Sequence, residues 1–183
     1  AREYVTKNPP TNPLMMFYGE GFDVFLAEFE PTKKLPFLPD IARIELACRK
    51  AYHAADIQPL TAAKLSTIPV EELGRLIFNL HPSVTILTSI YPATDLWSVG
   101  RGKLMPEDVA KQDAQISLIY RSNYEAFVET IDPVNIAFLQ NLEIGMSFSE
   151  AANISFEQNS EFDLQAFISL ALNCSLLTLP QNP

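Results

Sequence analysis

Cysteine and histidine are scarce: two of each in 183 residues, alongside one tryptophan. Cys48 and Cys174 lie far apart, make no CxxC pair and sit in apolar helical patterns. Both are expected to be buried free thiols in a reducing, cytoplasmic compartment. The histidines, His53 and His81, are also distant from one another. A metal site needs three or four converging ligands, and Glu45, His53 and Asp56 along one helix do not supply them. No metal or cofactor is therefore expected. With so few nucleophiles and bases, a nucleophile–base pair is hard to assemble. GxSxG is missing, and so is a phosphate-cradling glycine loop; Gly19-Glu20-Gly21 lacks the rest of a nucleotide fingerprint and follows no strand. The chain is expected not to be an enzyme.

Positive charge is also in short supply. Thirteen Lys and Arg face 22 Asp and Glu, for a net charge of −9. No basic run is present, which argues against a large phosphate-binding surface. No apolar run reaches the roughly 18 residues that suggest a membrane span. The opening Ala1-Arg2-Glu3-Tyr4-Val5 has no basic-then-apolar signal pattern. It reads as the middle of a helix, so further residues are expected upstream.

What the chain does have is a core: 48 % of its residues are hydrophobic. The sharpest start signal is Leu35-Pro36-Phe37-Leu38-Pro39-Asp40. Pro39 suits a first helical turn, and Asp40 complements the positive end of the helix dipole. Ile41, Ile44, Cys48, Ala51 and Ala55 trace one apolar face of a helix running to Asp56. The other side carries Arg43, Glu45, Arg49, His53 and Asp56, with Glu45 and Arg49 spaced as an i,i+4 pair. This side reads as a solvated face. Upstream, Asn8 to Pro13 is a breaker-rich connector. A short helix is expected over 21–29, with Phe17, Phe22, Phe25 and Phe29 as a core stripe.

Beyond Asp56 a linker is expected to about Thr67, then one helical turn at 69–73. Residues 76–80 and 84–90 read as strands. His81-Pro82-Ser83 joins them, and His81 is expected to fix that corner, with partner contact as the other reading. A short helix at 93–99 carries Trp97. Trp97 and Tyr91 are read as core closure or, alternatively, as an aromatic docking patch. Gly100 to Asp113 reads as a mobile polar loop. Residues 115–121 and 124–131 read as a hairpin turning at Ser122-Asn123. Three helices follow, opened by Asp132-Pro133, by a Ser147/Glu150 capping box and by Asp163, with Gly145 as a C-cap. A closing strand is expected near 175–179.

This order predicts an α+β chain: an all-helical N-terminal domain (1–66) and a winged-helix-like α+β domain (67–183), akin to peptide-recognition elements. A winged helix can place its last helix in a DNA groove. Here that helix, 163–173, has no Arg or Lys, and the hairpin contributes only Arg121 beside Glu125 and Glu129. A DNA-binding transcriptional regulator is thus the alternative reading. Strand addition of an extended peptide needs no cationic surface.

Several runs resemble the HvfC/BufC family, whose N-terminal domain carries an older DNA-binding label. They are Tyr18-Gly19-Glu20-Gly21-Phe22, Leu35 to Glu45, Ala51-Tyr52-His53-Ala54-Ala55-Asp56, Leu80-His81-Pro82-Ser83, and Tyr91-Pro92 with Leu96-Trp97. The runs span nearly the whole chain in the family's order; Gly100–Asp113 carries no family motif. The resemblance implies a non-catalytic accessory protein. It would bind a ribosomally made precursor peptide and present it to a multinuclear non-haem iron oxidase that modifies cysteines, often in copper homeostasis. The iron would belong to the oxidase. On that reading Arg43, Glu45, Arg49, His53, Asp56, His81 and Trp97 are candidate partner contacts. The peptide would add to the hairpin 115–131 against the helix 162–173, with Tyr120, Tyr124, Phe127 and Gln165 as candidate contacts.

Overall fold

The computed structural model describes residues 2–15, 18–110 and 113–180. Phe17 and part of the 100–113 loop lie outside them. The chain mixes helix and sheet. It opens with helix α1 (Arg2–Lys7), α2 (Phe22–Glu28) and α3 (Leu38–Tyr52), then two single-turn helices, α4 (Ala62–Leu65) and α5 (Val70–Leu73). Strands β1 (Asn79–Leu80) and β2 (Thr85–Ser89), helix α6 (Ala93–Gly100) and the hairpin β3 (Gln115–Ser122) and β4 (Glu125–Thr130) follow. Helices α7 (Ile136–Glu143), α8 (Phe148–Gln158) and α9 (Leu164–Asn173) lead to strand β5 (Leu177–Thr178).

The local start signals work as the chemistry requires. Pro39 occupies the first turn of α3. Asp132, Ser147 and Asp163 each accept a backbone N–H at the start of a helical segment, and Ser147 with Glu150 forms the full capping box. Gly19, Gly21 and Gly145 have φ of 96°, 83° and 84°, a region open to glycine at no steric cost.

Antiparallel β2-β3-β4 forms the main sheet, and β1 pairs with β5 separately. Alternation along β3 sends Leu118 and Tyr120 into one core and Ile119 into another. The first core is built with α7, α8 and α9, where Phe138, Leu139, Phe167 and Leu176 are fully buried. The second is built with α3 and α6, from Ile44, Ala47, Ala51, Ala93 and Trp97 against Leu87 and Val128. The sheet therefore sits between two helical layers. Helix α3 belongs to the sheet's core, so a boundary at 66/67 separates no two cores. Tyr4, Phe22, Phe25 and Phe29 form a small aromatic cluster beside α3, with Tyr4 buried.

Four local expectations need correction. Helix α3 stops at Tyr52, leaving Ala55 exposed rather than inward. The stretch 76–80 is strand only at Asn79–Leu80, because the Leu76 carbonyl accepts from Phe148 N–H (2.7 Å) at the start of α8. The expected linker contains α4, capped by the Thr61 hydroxyl. The hairpin turns at Asn123-Tyr124, not Ser122-Asn123; both residues have positive φ, 48° and 65°, and Ser122 pairs with Glu125.

Candidate functional site

The register of the hairpin decides which backbone groups are free. A two-residue turn makes Ser122 and Glu125 a hydrogen-bonded pair, and such pairs alternate with non-bonded ones. Glu125, Phe127 and Glu129 therefore bond inward to β3, while Ala126, Val128 and Thr130 aim N–H and C=O at the outer edge. The opposite side of β3 obeys the same parity: Arg121 N–H points toward β2 and donates to Ser83 Oγ (3.1 Å).

The two edges of the sheet differ. On β2 the outward Thr88 carbonyl accepts from Arg43 Nη2 (3.1 Å), and Ser89 Oγ donates to Asp40 at the start of α3. Asp40 also pairs with Arg43. The N-terminal end of α3 thus engages the Thr88–Ser89 end of that edge, a partial defence against unwanted strand pairing; among the described residues nothing bonds to the outward Ile86 groups. On β4, among the described residues, no group bonds to the outward backbone of Ala126, Val128 or Thr130.

At the hairpin tip a cleft of about 320 Å³ is lined by Asp56, Gln58, His81, Arg121, Tyr124 and Ser175. Asn123, Tyr124 and Ser175 are the three non-glycine residues with positive φ among the described residues, and all three border it. Strained backbone is more common at binding sites than elsewhere. His81 Nε2–H donates to the Ile57 carbonyl (3.0 Å). Its Nδ1 accepts from Ser83 Oγ–H (2.8 Å) and Ser83 N–H (3.2 Å). Because Ser83 N–H points at Nδ1, that nitrogen is an acceptor, and the Ser83 hydroxyl gives it its proton while accepting from Arg121 N–H. Only neutral imidazole fits this chain of bonds, and burial lowers the His81 pKa from its ordinary 6.5.

A stability effect follows from the sign of that shift. The unfolded chain takes up a proton near pH 6.5, while the folded one resists until lower pH. The contribution is complete above pH 6.5 and is lost as pH falls through the window between the two values. The urea midpoint of the native chain should drop between about pH 7 and pH 5 by more than that of His81→Gln, which has no imidazole to titrate.

The candidate partner residues are mostly occupied internally. Glu45 makes no pair with Arg49. It accepts from Trp97 Nε1 (2.9 Å) and from Arg101 Nη2 (2.6 Å), and the Arg101 guanidinium lies 5.3 Å from the Trp97 ring centre. Arg49 donates to the Tyr18 carbonyl (2.5 Å), which ties α3 to the turn before α2. The side taken as solvated is therefore largely structural. His81 and Trp97 are buried and offer no docking surface; His53 and Asp56 are exposed. Of the peptide candidates, Tyr120 is buried, stacks on Phe127 and donates to Glu129 Oε1 (2.9 Å). Phe127 is half-buried beside the open edge, Tyr124 is exposed at the turn, and Gln165 is exposed in the first turn of α9. The cleft gathers Asp56, His81 and Tyr124.

Arg121 was missed as a site residue. It lies on the same face of β3 as buried Ile119, and a cation on an inward face needs a buried partner. Its guanidinium donates to the carbonyls of Tyr52, Ala54 and Ala55 and to Asp56. That engagement removes the hairpin's one cation from any nucleic-acid surface. Burial pushes Cys48 up to about 11 and also raises Cys174, so neither is a thiolate near neutral pH. Among the described residues no three His, Cys, Asp or Glu side chains gather as a metal site. In the same residues no helix is long and apolar enough to cross a membrane. The chain matches no family model and no curated protein.

Proposed function

We propose that this protein is a non-catalytic, cytoplasmic peptide-docking partner. An extended segment of a precursor peptide adds as a fourth strand to the outer edge of β4, and the chain presents it to a multinuclear iron oxidase. The oxidase supplies the metal and the chemistry. The observation that carries the reading is the difference between the two sheet edges: β2 is engaged at Thr88 and Ser89 by Arg43 and Asp40, while β4, among the described residues, leaves its outward N–H and C=O groups all unbonded. An open edge is an aggregation hazard that a chain normally blocks, and it is also the template that strand-adding peptides use. The succession of sheet and then three helices supports a winged-helix-like recognition unit. The oxidase rests on the sequence resemblance alone.

The test is amide hydrogen exchange of the chain with and without a short cysteine-containing peptide of extended conformation. Slower exchange is expected at Ala126, Val128 and Thr130 and not at the outward amides of β2. Thr130→Pro removes one outward N–H at an exposed strand end without touching the β3 ladder. It should weaken peptide binding about tenfold, the loss of one main-chain bond and its neighbours. Unchanged exchange along β4 at saturating peptide would end the proposal.

A further inference from the structure

We propose that the strand accepted by β4 is cationic, with basic side chains at positions i and i+4 flanking an apolar one at i+2. The inference rests on strand addition at β4 and specifies what is added.

Side chains alternate along a strand, so Glu125, Phe127 and Glu129 share one face. The pairing confirms which: Phe127 lies opposite Tyr120 and stacks on it at 5.5 Å, and Glu129 lies opposite Leu118. This is the face toward α7, α8 and α9. The Tyr120 hydroxyl holds the Glu129 carboxylate there. Because these three residues direct their backbone bonds to β3, an antiparallel newcomer meets them as non-hydrogen-bonded pairs. That is the pairing in which facing side chains come closest. An acid, a half-buried ring and an acid therefore face positions i, i+2 and i+4 of the incoming strand. The acid–ring–acid order is symmetric along β4, and its close facing pairs are those of an antiparallel newcomer.

The surroundings favour the same charge. Beyond Arg121 the sequence contains no lysine, arginine or histidine, while acids continue from Glu125 to Asp163. All of those acids are exposed, and among the described residues none is in a salt bridge. The Lys and Arg residues that pair elsewhere lie in the first 121 residues. Arg101 and Lys103, the cations over Trp97, belong to the α3–α6 layer on the opposite face of the sheet, so on the face of Phe127 the charge that an incoming strand meets is that of Glu125 and Glu129. The open edge defines the site, and the acids define its choice of occupant.

The test uses three short blocked β-forming peptides, identical except for Lys, Gln or Glu at i and i+4, titrated into the full chain by fluorescence anisotropy. The Lys peptide should bind about three- to tenfold tighter than the Gln peptide, the size of two cross-strand charge pairs. The Glu peptide should bind weakest. In about 1 M salt, where the screening length is near 3 Å, the preference should shrink toward unity. Glu125→Gln with Glu129→Gln should abolish it, and Glu125→Lys with Glu129→Lys should reverse it; each variant is first shown to keep the native melting midpoint. Equal affinity for the Lys and Gln peptides, with β4 amides protected by both, overturns the charge inference and leaves strand addition standing. If no peptide protects β4 at saturation, strand addition itself fails and this inference goes with it.

Discussion

Arg121→Ala should melt about 6–12 °C below the native chain, the equivalent of about 3 kcal/mol for a domain of this size. Helix α3 ends at Tyr52 without a glycine cap, and the carbonyls of Tyr52 and, just past it, of Ala54 and Ala55 are turned toward β3. Arg121 meets them from β3: Nη1 donates to Tyr52 O and Ala54 O, both at 2.9 Å, and Nη2 to Ala55 O at 3.2 Å. A cation at a helix C-terminus also complements the dipole. The side chain is only 11 % exposed, and truncation strips the Tyr52 and Ala54 carbonyls of their donor, while Ala55 O keeps the Ile57 N–H at 3.0 Å. The Asp56 pair is a lesser part: its carboxylate is 79 % exposed, and such pairs contribute about 0–1 kcal/mol. Asp56→Ala should therefore move the midpoint far less than Arg121→Ala. Arg121→Lys should recover only part of the loss, since one ammonium cannot reproduce the planar fork. A midpoint for Arg121→Ala within a degree of native would show that water replaces the guanidinium freely. Thermal melts by far-ultraviolet circular dichroism decide it.

The same residue shows where reading the sequence stops. Helix starts were legible because their chemistry is local: Asp132, Ser147 and Asp163 each reach a donor two or three residues away. The strands of the hairpin were legible from β-branched and apolar runs, to within the one residue by which the turn moved. That shift matters, since the parity of the turn decides which β4 groups face outward. It was hidden because Tyr124 adopts positive φ, which turn rules assign chiefly to Gly, Asn and Asp. Partners across the fold were not legible. Glu45 has a basic residue four positions on, yet it bonds Trp97 and Arg101, more than fifty positions away. The i,i+4 rule is worth a few tenths of a kcal/mol, and a tertiary contact easily outweighs it. The open edge was legible only in outline: a hairpin can be named from sequence, but the start of α3 bonding the Thr88–Ser89 end of β2 while, among the described residues, no group bonds the outer edge of β4 is a property of the packed layers.

Phe138→Ala should have the largest effect on stability, about 3–5 kcal/mol, the range for emptying a large aromatic site in a core. Phe138 is fully buried in α7. Its ring meets Phe167 at 4.7 Å, Phe162 at 5.4 Å and Phe148 at 5.7 Å, so it touches α8, α9 and the loop between them. No neighbour can collapse into the space without breaking contacts to the other two. Helix α3 stands on the far face of the sheet, and there the two-domain and shared-core pictures separate. The strand β3 feeds both cores, Leu118 and Tyr120 to one and Ile119 to the other. Loss of the α7–α9 layer should therefore release α3 in the same transition. Trp97, the chain's single tryptophan, packs with Ile44 of α3 and reports that far layer. In Phe138→Ala its fluorescence midpoint should fall together with the circular dichroism midpoint, by about 6–20 °C. If fluorescence held its native midpoint while ellipticity fell, the α3–α6 layer would unfold separately from the α7–α9 layer, and β3 would not couple the two cores.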